Sequence, residues 1–479
     1  MNSYDTIFVN NEWQSPSSSS TLDVINPTTE ETIATVPEGQ SADVDTAVAA
    51  AREAFDNGPW KDFSAEQRAD CMAQLSQAIQ ARMGDIAVAI TQEMGSPMQF
   101  SQTGQVFAPV MVLDYYTELA REFAFEEPRQ GLLSPVRVHR EPVGVVAAIT
   151  PWNVPLFTIM LKLAPALAAG CTLVIKPAPE TPIDAYLLAE AVLDTDIPPG
   201  VVNVVAADRE VSEYLVRHPG IDKVSFTGST VAGSKIGAIC GEQIKRCSLE
   251  LGGKSAAIIL DDMELERVSN EILAGALMNT GQACAAQTRI LASRKRYNET
   301  VEALAASVGA MKVGDPMDET TQIGPLFAAR QRERVEGYIE IGRKEGAQVA
   351  TGGGRPAGID KGWFVEPTVF GSVDNTMRIA QEEIFGPVLV VIPYDDEADA
   401  VKIANDSNYG LSGSVWTNDI DHGVDIARKV RTGTYTINGF SMDFKSPFGG
   451  YKQSGIGREL GPEGLQTFLE YKTINLPNG

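Results

Sequence analysis

An α/β fold built on a parallel, doubly wound sheet is predicted by three observations. From Gly144 onward, short β-rich runs alternate with helical stretches; Gly- and Pro-rich turns punctuate them; and 479 residues exceed what one hydrophobic core ordinarily holds. Two or three lobes are therefore expected, each large enough to fold without metals or disulfides.

Composition narrows the function. A hydrophobic content of 43% with 43 glycines suits a globular protein, and a formal charge of -24 argues against a nucleic-acid partner. The same charge gives no support for binding an anionic membrane. The five cysteines are an odd number without the paired spacing of a zinc site or a CxxC motif, so no metal centre and a reduced, cytoplasmic setting are expected. The N-terminus has neither the basic nor the apolar region of a secretory signal, and no apolar run reaches the roughly 20 residues that span a bilayer.

Taken in order, residues 8–13 read as a hairpin and 17–20 as a surface loop. Ser41 is the expected cap of a helix carrying Val44, Val48, Ala51 and Phe55, which Asn57-Gly58-Pro59 stops. Ser64 and Gln67 form a capping box ahead of Met72, Leu75, Ile79 and Met83, and Gly95-Ser96-Pro97 ends a third helix. Residues 125–140, with Pro128, Gly131 and Pro135 and then alternating Val136 and Val138, read as a projecting β-ribbon. Such a ribbon needs a partner strand, from its own domain or from another subunit.

Strands at 145–149, 173–175, 201–205 and 224–226, separated by helices at 156–169, 183–193 and 211–216, imply right-handed crossovers. Ligands of such sheets bind at the carboxyl ends of the strands. Those ends carry Pro151-Trp152-Asn153, Lys176-Pro177 and Thr227-Gly228-Ser229-Thr230. Glycine lets a pyrophosphate approach the backbone, a helix start offers free N–H groups, and lysine reaches a ribose hydroxyl or a phosphate. The G-x-G-x-x-G fingerprint is absent, and each feature alone also reads as an ordinary helix start or surface charge. Their convergence on one edge carries the functional reading.

A second α/β segment follows, with strands at 256–260, 289–291, 388–392, 414–416 and 434–437 and helices at 330–345 and 424–430. Residues 446–450 read as a loop and 473–476 as a last strand.

Two further stretches carry the chemistry. Leu249-Glu250-Leu251-Gly252-Gly253-Lys254 sets a carboxylate on an apolar run that breaks into glycines, and Gly281-Gln282-Ala283-Cys284 sets a thiol in a turn-like stretch. A thiol and a carboxylate meeting in a cleft can form and then hydrolyse an acyl intermediate. In isolation Cys284 reads as packing, as do Cys71, Cys171, Cys240 and Cys247. His139, His218 and His422 fall in none of these blocks, so a carboxylate is the candidate base.

These blocks, together with Phe226 before Thr227, Glu382-Glu383-Ile384-Phe385-Gly386-Pro387 and Pro447-Phe448-Gly449-Gly450, resemble the successive signatures of the NAD(P)-dependent aldehyde dehydrogenase superfamily. They run in that family's order across nearly the whole chain. The resemblance implies a Rossmann-type coenzyme domain (1–122 and 142–252), an α/β catalytic domain (253–447) and a β-ribbon oligomerisation arm (123–141 and 463–479), assembled as a homodimer or homotetramer.

It also implies roles. Cys284 would add to the aldehyde carbon, giving a thiohemiacetal and then a thioester; Asn153 and the Cys284 backbone N–H would hold the oxyanion; Glu250 would activate the hydrolytic water. Thr150, Pro151, Trp152 and Leu251 would line the coenzyme, Lys176 its adenosine ribose, Gly228 and Ser229 its pyrophosphate, Glu383 its nicotinamide ribose, with Phe385 packing near the nicotinamide. NAD is the expected coenzyme. NADP is also admissible, because Pro179 stands where NAD-selective members often carry Glu. The substrate tunnel would be lined by Val154, Phe157, Thr158, Leu161, Ala283, Ala285, Phe440, Met442 and Phe448, which suits a medium-sized hydrophobic or aromatic aldehyde. Lys162 and Arg289 keep a carboxylated semialdehyde as the alternative, and Glu459 is either a proton route or half of an ion pair. Glu250 counts against transfer to coenzyme A, the lack of G-x-S-x-G against a serine esterase, and the intact trio Cys284, Glu250 and Asn153 against a non-catalytic relative.

Overall fold

A computed structural model describes residues 3–477, so the two positions at each end of the expected domain limits lie outside the described residues. An eight-stranded sheet has five parallel strands at its centre, in the spatial order Arg246–Glu250, Lys223–Thr227, Val145–Ile149, Thr172–Lys176 and Val202–Val204. Val145–Ile149 is buried throughout, as a strand covered on both faces must be. Two apolar clusters, one on each face, supply that cover.

The chain order of these strands sets the place of the site. From Val145–Ile149 the chain steps outward to Val202–Val204, then returns to lay Lys223–Thr227 on the other side of the first strand. The connections diverge between Val145–Ile149 and Lys223–Thr227, which opens a crevice at their carboxyl ends. Thr150 to Asn153 and Gly228-Ser229 stand at that crevice.

The outer strands are antiparallel. Ile7–Val9 and Glu12–Gln14 form the expected hairpin, whose turn residues Asn10 and Asn11 have φ of 59° and 56°. Gly455–Ile456 pairs with Leu249 and Glu250 at the other edge.

The helix Ser41–Asp56 is capped one residue earlier than expected, by Gln40. The reason is Asp43: its buried carboxylate accepts the Gln40 N–H at 2.8 Å and also the Ser17 N–H and hydroxyl at 2.7 and 2.8 Å. The serine loop is thereby tied to the helix start. The Ser64 and Gln67 box forms in both directions, at 2.8 and 3.2 Å, and Gly95 closes the third helix at φ 82°.

A second sheet of seven strands runs Gln348–Thr351, Thr368–Gly371, Val388–Tyr394, Arg289–Ser293, Ala256–Ile259, Gly413–Trp416 and Thr436–Ile437, parallel except for the first. The ribbon Glu126–Gln130 and Pro135–Pro142 finds its partner in its own chain, Leu469–Asn475, which starts four residues before the expected position. Several elements had no place in the sequence reading, among them the hairpin Thr21–Asn26 with Glu31–Pro37, a π-helical turn at Ser101–Phe107, the helices Ala108–Glu122 and Tyr297–Gly309 and the strands Gln348–Thr351 and Thr368–Gly371.

Candidate active site

The thiol is placed by a constrained loop. The tight turn Met278–Gly281 carries Asn279 and Thr280 in left-handed conformation (φ 52° and 59°), and Gly281 (φ 71°) lies so close to the Gly386 backbone that a side chain would not fit. Two amides join this loop to the first sheet. Asn279 Nδ2 donates to the Asn153 carbonyl and Asn153 Nδ2 to the Gln282 carbonyl, each at 2.8 Å. One hydrogen of the Asn153 amide remains for a ligand.

Cys284 follows, and its remaining exposure faces a cavity of about 230 Å³. Burial pushes the thiol up to about 12, with the negative charges of Glu383 and Glu250 adding to the effect; the Ala285 and Cys284 backbone N–H groups act the other way. Burial thus favours the thiol over the thiolate, which is the nucleophilic form.

Glu250 lines the same cavity from the end of its strand, and among the described residues neither carboxylate oxygen has a well-aligned hydrogen-bond partner. Burial holds its carboxyl well above the ordinary range, reinforced by Glu459 and opposed by Lys162, Arg458 and the Gly450 N–H. A Cβ on Gly449 would stand 2.7 Å from Glu250 Oε1, so the bare glycine makes room for the carboxylate.

All nine residues expected in the tunnel, Val154 through Phe448, line this cavity. Phe100, Gly104, Ala108, Met278, Leu411 and Phe444 also line it and went unnoticed in the sequence. Phe100, Gly104 and Ala108 could have been suspected from their four-residue spacing; Leu411 sits alone in a loop and gave no signal.

Lys162 and Arg289 do not offer a cation to a substrate carboxylate. Lys162 Nζ, fully buried, donates at 2.6 Å to both Glu459 Oε1 and Thr227 Oγ1. Arg289, also buried, donates to the carbonyls of Lys254, Ile403 and Ala404 and to Asn375 Oδ1 at 2.9 to 3.0 Å. A buried cation needs its partners close by, and here the protein supplies all of them.

On the other side of Cys284 lie the residues assigned to a dinucleotide. Lys176 is buried at the end of its strand, pushed down to about 8 by burial, with no hydrogen-bond or ion-pair partner among the described residues. The Thr150 hydroxyl beside Pro151 is buried and unpartnered too. Ser229 Oγ caps the helix Thr230–Gln243 by accepting from the Ala232 N–H. The Gly228 N–H donates to the Glu250 carbonyl at 3.0 Å, so Gly228 presents only its bare Cα and the free donors come from the helix start.

Glu383 Oε1 accepts the Gly253 N–H at 2.8 Å, and burial raises its carboxyl to about 7. A Cβ on Gly252 would stand 2.5 Å from Glu383 Oε2. The Leu251 N–H donates to the Ser454 carbonyl at 2.9 Å. Phe385, at φ 64°, sets its ring edge-on to Trp152 at 5.4 Å, and Trp152 stacks on Phe327. The orphaned polar groups of Lys176 and Thr150 and the glycine-lined floor fit a nucleotide better than an apolar ligand.

The model of the aldehyde dehydrogenase family matches residues 13–474. The chain belongs to the aldehyde dehydrogenase family. Among aldehyde dehydrogenases it is 46% identical to the geranial dehydrogenase of Castellaniella defragrans over 471 residues, 98% of each chain. It is 44% identical to a 3-succinoylsemialdehyde-pyridine dehydrogenase of a Pseudomonas species, covering 99% of both. The Mycobacterium tuberculosis aldehyde dehydrogenase solved with NAD+ superposes at a TM-score of 0.98 with 49% identity, covering 99% of both chains. A mutant of aldehyde dehydrogenase C from Pseudomonas syringae, solved with NAD+ and octanal, superposes at 0.96 with 40% identity, covering 99% of this chain and 97% of that one. Among the described residues of this aldehyde dehydrogenase, no helix is long and apolar enough to cross a membrane.

Proposed function

We propose that this aldehyde dehydrogenase oxidises a neutral, apolar aldehyde to the carboxylic acid, with NAD+ as electron acceptor. The observation that carries this reading is the one cavity that Cys284, Glu250 and Asn153 line together with a mostly apolar wall.

Glu250, whose carboxyl is raised well above the ordinary value by burial and is therefore a stronger base when ionised than an exposed carboxylate, takes the Cys284 proton, directly or through one water. The thiolate adds to the aldehyde carbon, and the free hydrogen of the Asn153 amide with the Cys284 backbone N–H receives the oxyanion. NAD+, when bound, supplies the two-electron acceptor for that carbon. Lys176 would hold its adenosine ribose, Ser229 and the helix start its pyrophosphate, and Glu383 its nicotinamide ribose, with Thr150, Pro151, Trp152, Leu251 and Phe385 shaping the floor. Once the substrate carbon is a thioester, Glu250 deprotonates a water that attacks it, releasing the acid and the Cys284 thiol. Glu459 Oε2, buried and without a partner, stands ready to pass the proton on from Glu250.

We assign 1–122 and 142–252 to coenzyme binding, 253–447 to catalysis and 123–141 with 463–479 to an arm that joins copies of the chain as a dimer or tetramer. The outer edge of Leu469–Asn475, which pairs with no further strand among the described residues, supports the arm. The involvement of Lys162 and Arg289 in internal contacts favours a neutral substrate over a carboxylated one.

Initial rates of reduced-coenzyme formation over aliphatic, aromatic, terpenoid and semialdehyde substrates, with NAD+ and NADP+ in parallel, test the proposal. Turnover of apolar aldehydes that Cys284→Ala abolishes is the expected result. Retention of most activity by Cys284→Ala would refute the mechanism.

A further inference from the structure

We infer that Gly104 and Phe100 set the aperture of a two-chamber channel, which selects elongated, neutral aldehydes whose tails pass through it; this rests on the aldehyde oxidation proposed above. The inner chamber, at about 230 Å³, is small against the roughly 300–1,000 Å³ of sites that hold drug-sized ligands. A second cavity of about 660 Å³ adjoins it, and Phe100, Met278 and Phe440 line both. Those three side chains are the neck between them.

The outer basin differs in chemistry from the inner chamber. Gln99, Asn270, Asn279, Ser307, Thr321 and Gln322 give it hydrogen-bonding groups, and no charged residue lines it. The inner chamber holds only negative charge, on Glu250 and Glu459. An anionic tail would meet no counter-ion in either chamber and would lose its hydration in the inner one. A neutral tail, apolar near the aldehyde and with or without a hydroxyl or carbonyl further out, meets a matching wall throughout.

The neck depends on one missing side chain. A Cβ at Gly104 would stand 2.6 Å from Phe100 Cε2 and 2.9 Å from Cζ, so one edge of the ring lies over the glycine. The π-helical turn produces this overlap: the Ala108 N–H donates to the Thr103 carbonyl, five residues back, widening a turn that in an α-helix would take 3.6 residues. Positions four apart then fall nearly over one another, and Phe100, Gly104 and Ala108 all face the channel. Any side chain at 104 lifts the ring towards Met278 and Phe440, across the opening. The ring can turn, so the fold survives the substitution while the neck narrows.

The test is the ratio of kcat/KM for decanal to that for propanal. Gly104→Ala is expected to lower the ratio at least about tenfold, mainly through the KM for decanal, and Phe100→Ala to raise it. The double variant Gly104→Ala/Phe100→Ala should return the ratio to within about threefold of the unmodified enzyme. An unchanged ratio in Gly104→Ala, or no recovery in the double variant, would overturn the inference. Absence of any oxidation of either aldehyde by the unmodified enzyme would instead overturn the proposed function. Calorimetric binding of 1-decanol reads the neck without turnover: weaker binding to Gly104→Ala by about fivefold or more supports it, and equal binding refutes it.

Discussion

Lys162 Nζ lies 2.6 Å from Glu459 Oε1, and both side chains are almost wholly buried. The pair joins the helix Pro155–Ala169 to a segment 297 positions later, and both its charges act on the Glu250 carboxyl, Glu459 raising it and Lys162 lowering it. Desolvation makes such a pair costly to break from one side only.

Glu459→Gln is therefore expected to destabilise the enzyme by about 3–5 kcal/mol, because it leaves the Lys162 ammonium buried with only the Thr227 hydroxyl and an amide. Lys162→Met combined with Glu459→Leu should recover most of that loss. Urea unfolding midpoints of the three proteins give the comparison.

Alkylation of Cys284 by iodoacetamide should rise with pH well beyond the range of an ordinary thiol, since burial and two neighbouring carboxylates hold the sulfur protonated. Removing one of those charges in Glu250→Gln should move the alkylation midpoint to lower pH, while steady-state turnover falls because the water loses its base. Mass-spectrometric labelling profiles in the two proteins check the sign.

Gly449→Ala is expected to slow thioester hydrolysis more than acylation. The added methyl would stand 2.7 Å from Glu250 Oε1, and the backbone at φ 149° disfavours a side chain. A rapid-mixing experiment should retain the first-turnover burst and show kcat reduced about tenfold or more, the scale of losing a positioned base. Equal loss of burst and steady rate would count against this role for Gly449.

Away from the site, Glu93 and Asp184 share a buried position in which both Asp184 oxygens and Glu93 Oε1 lack partners. Burial raises the Asp184 carboxyl from 3.8 to about 8 and lifts Glu93 well above its ordinary value, aided by the Asp184 charge. Between these limits the unfolded chain binds fewer protons than the folded one, so stability contributed here falls as pH rises from about 4 to about 8. Asp184→Asn should flatten that decline, leaving the variant at least about 1 kcal/mol more favourable, relative to the unmodified enzyme, at pH 8 than at pH 5. Urea midpoints at the two pH values decide.

Residues whose signal is local were legible before the structure was known. Ser64 with Gln67, Asn10-Asn11 and Gly95 act through neighbours within a few positions, so their turns and caps could be read directly. The buried strands around Val145 and Val224 announced themselves by composition. What could not be read depends on distant partners. The cap at Gln40 exists because Asp43 reaches back to Ser17; Lys162 and Arg289 looked free because Glu459 and the Ile403 and Ala404 carbonyls lie 297 and more than 100 positions away. The π-turn at Ser101–Phe107 holds only the lone Gly104, which reads equally well as an ordinary helix interior, and the hairpin from Thr21 to Pro37 has a mixed polar face that hides its alternation.

The pairing of Gly455–Ile456 with Leu249 and Glu250 has a consequence for biosynthesis. The strand that bears Glu250 is completed by chain made some 200 residues later; the Ser454 carbonyl that accepts the Leu251 N–H, and Gly449 and Glu459 beside the Glu250 carboxylate, arrive in the same late stretch. Long-range closures of this kind form late and slowly. On a growing polypeptide the Glu250 carboxylate therefore lacks its buried setting until the last strands dock, long after Cys284 has been made.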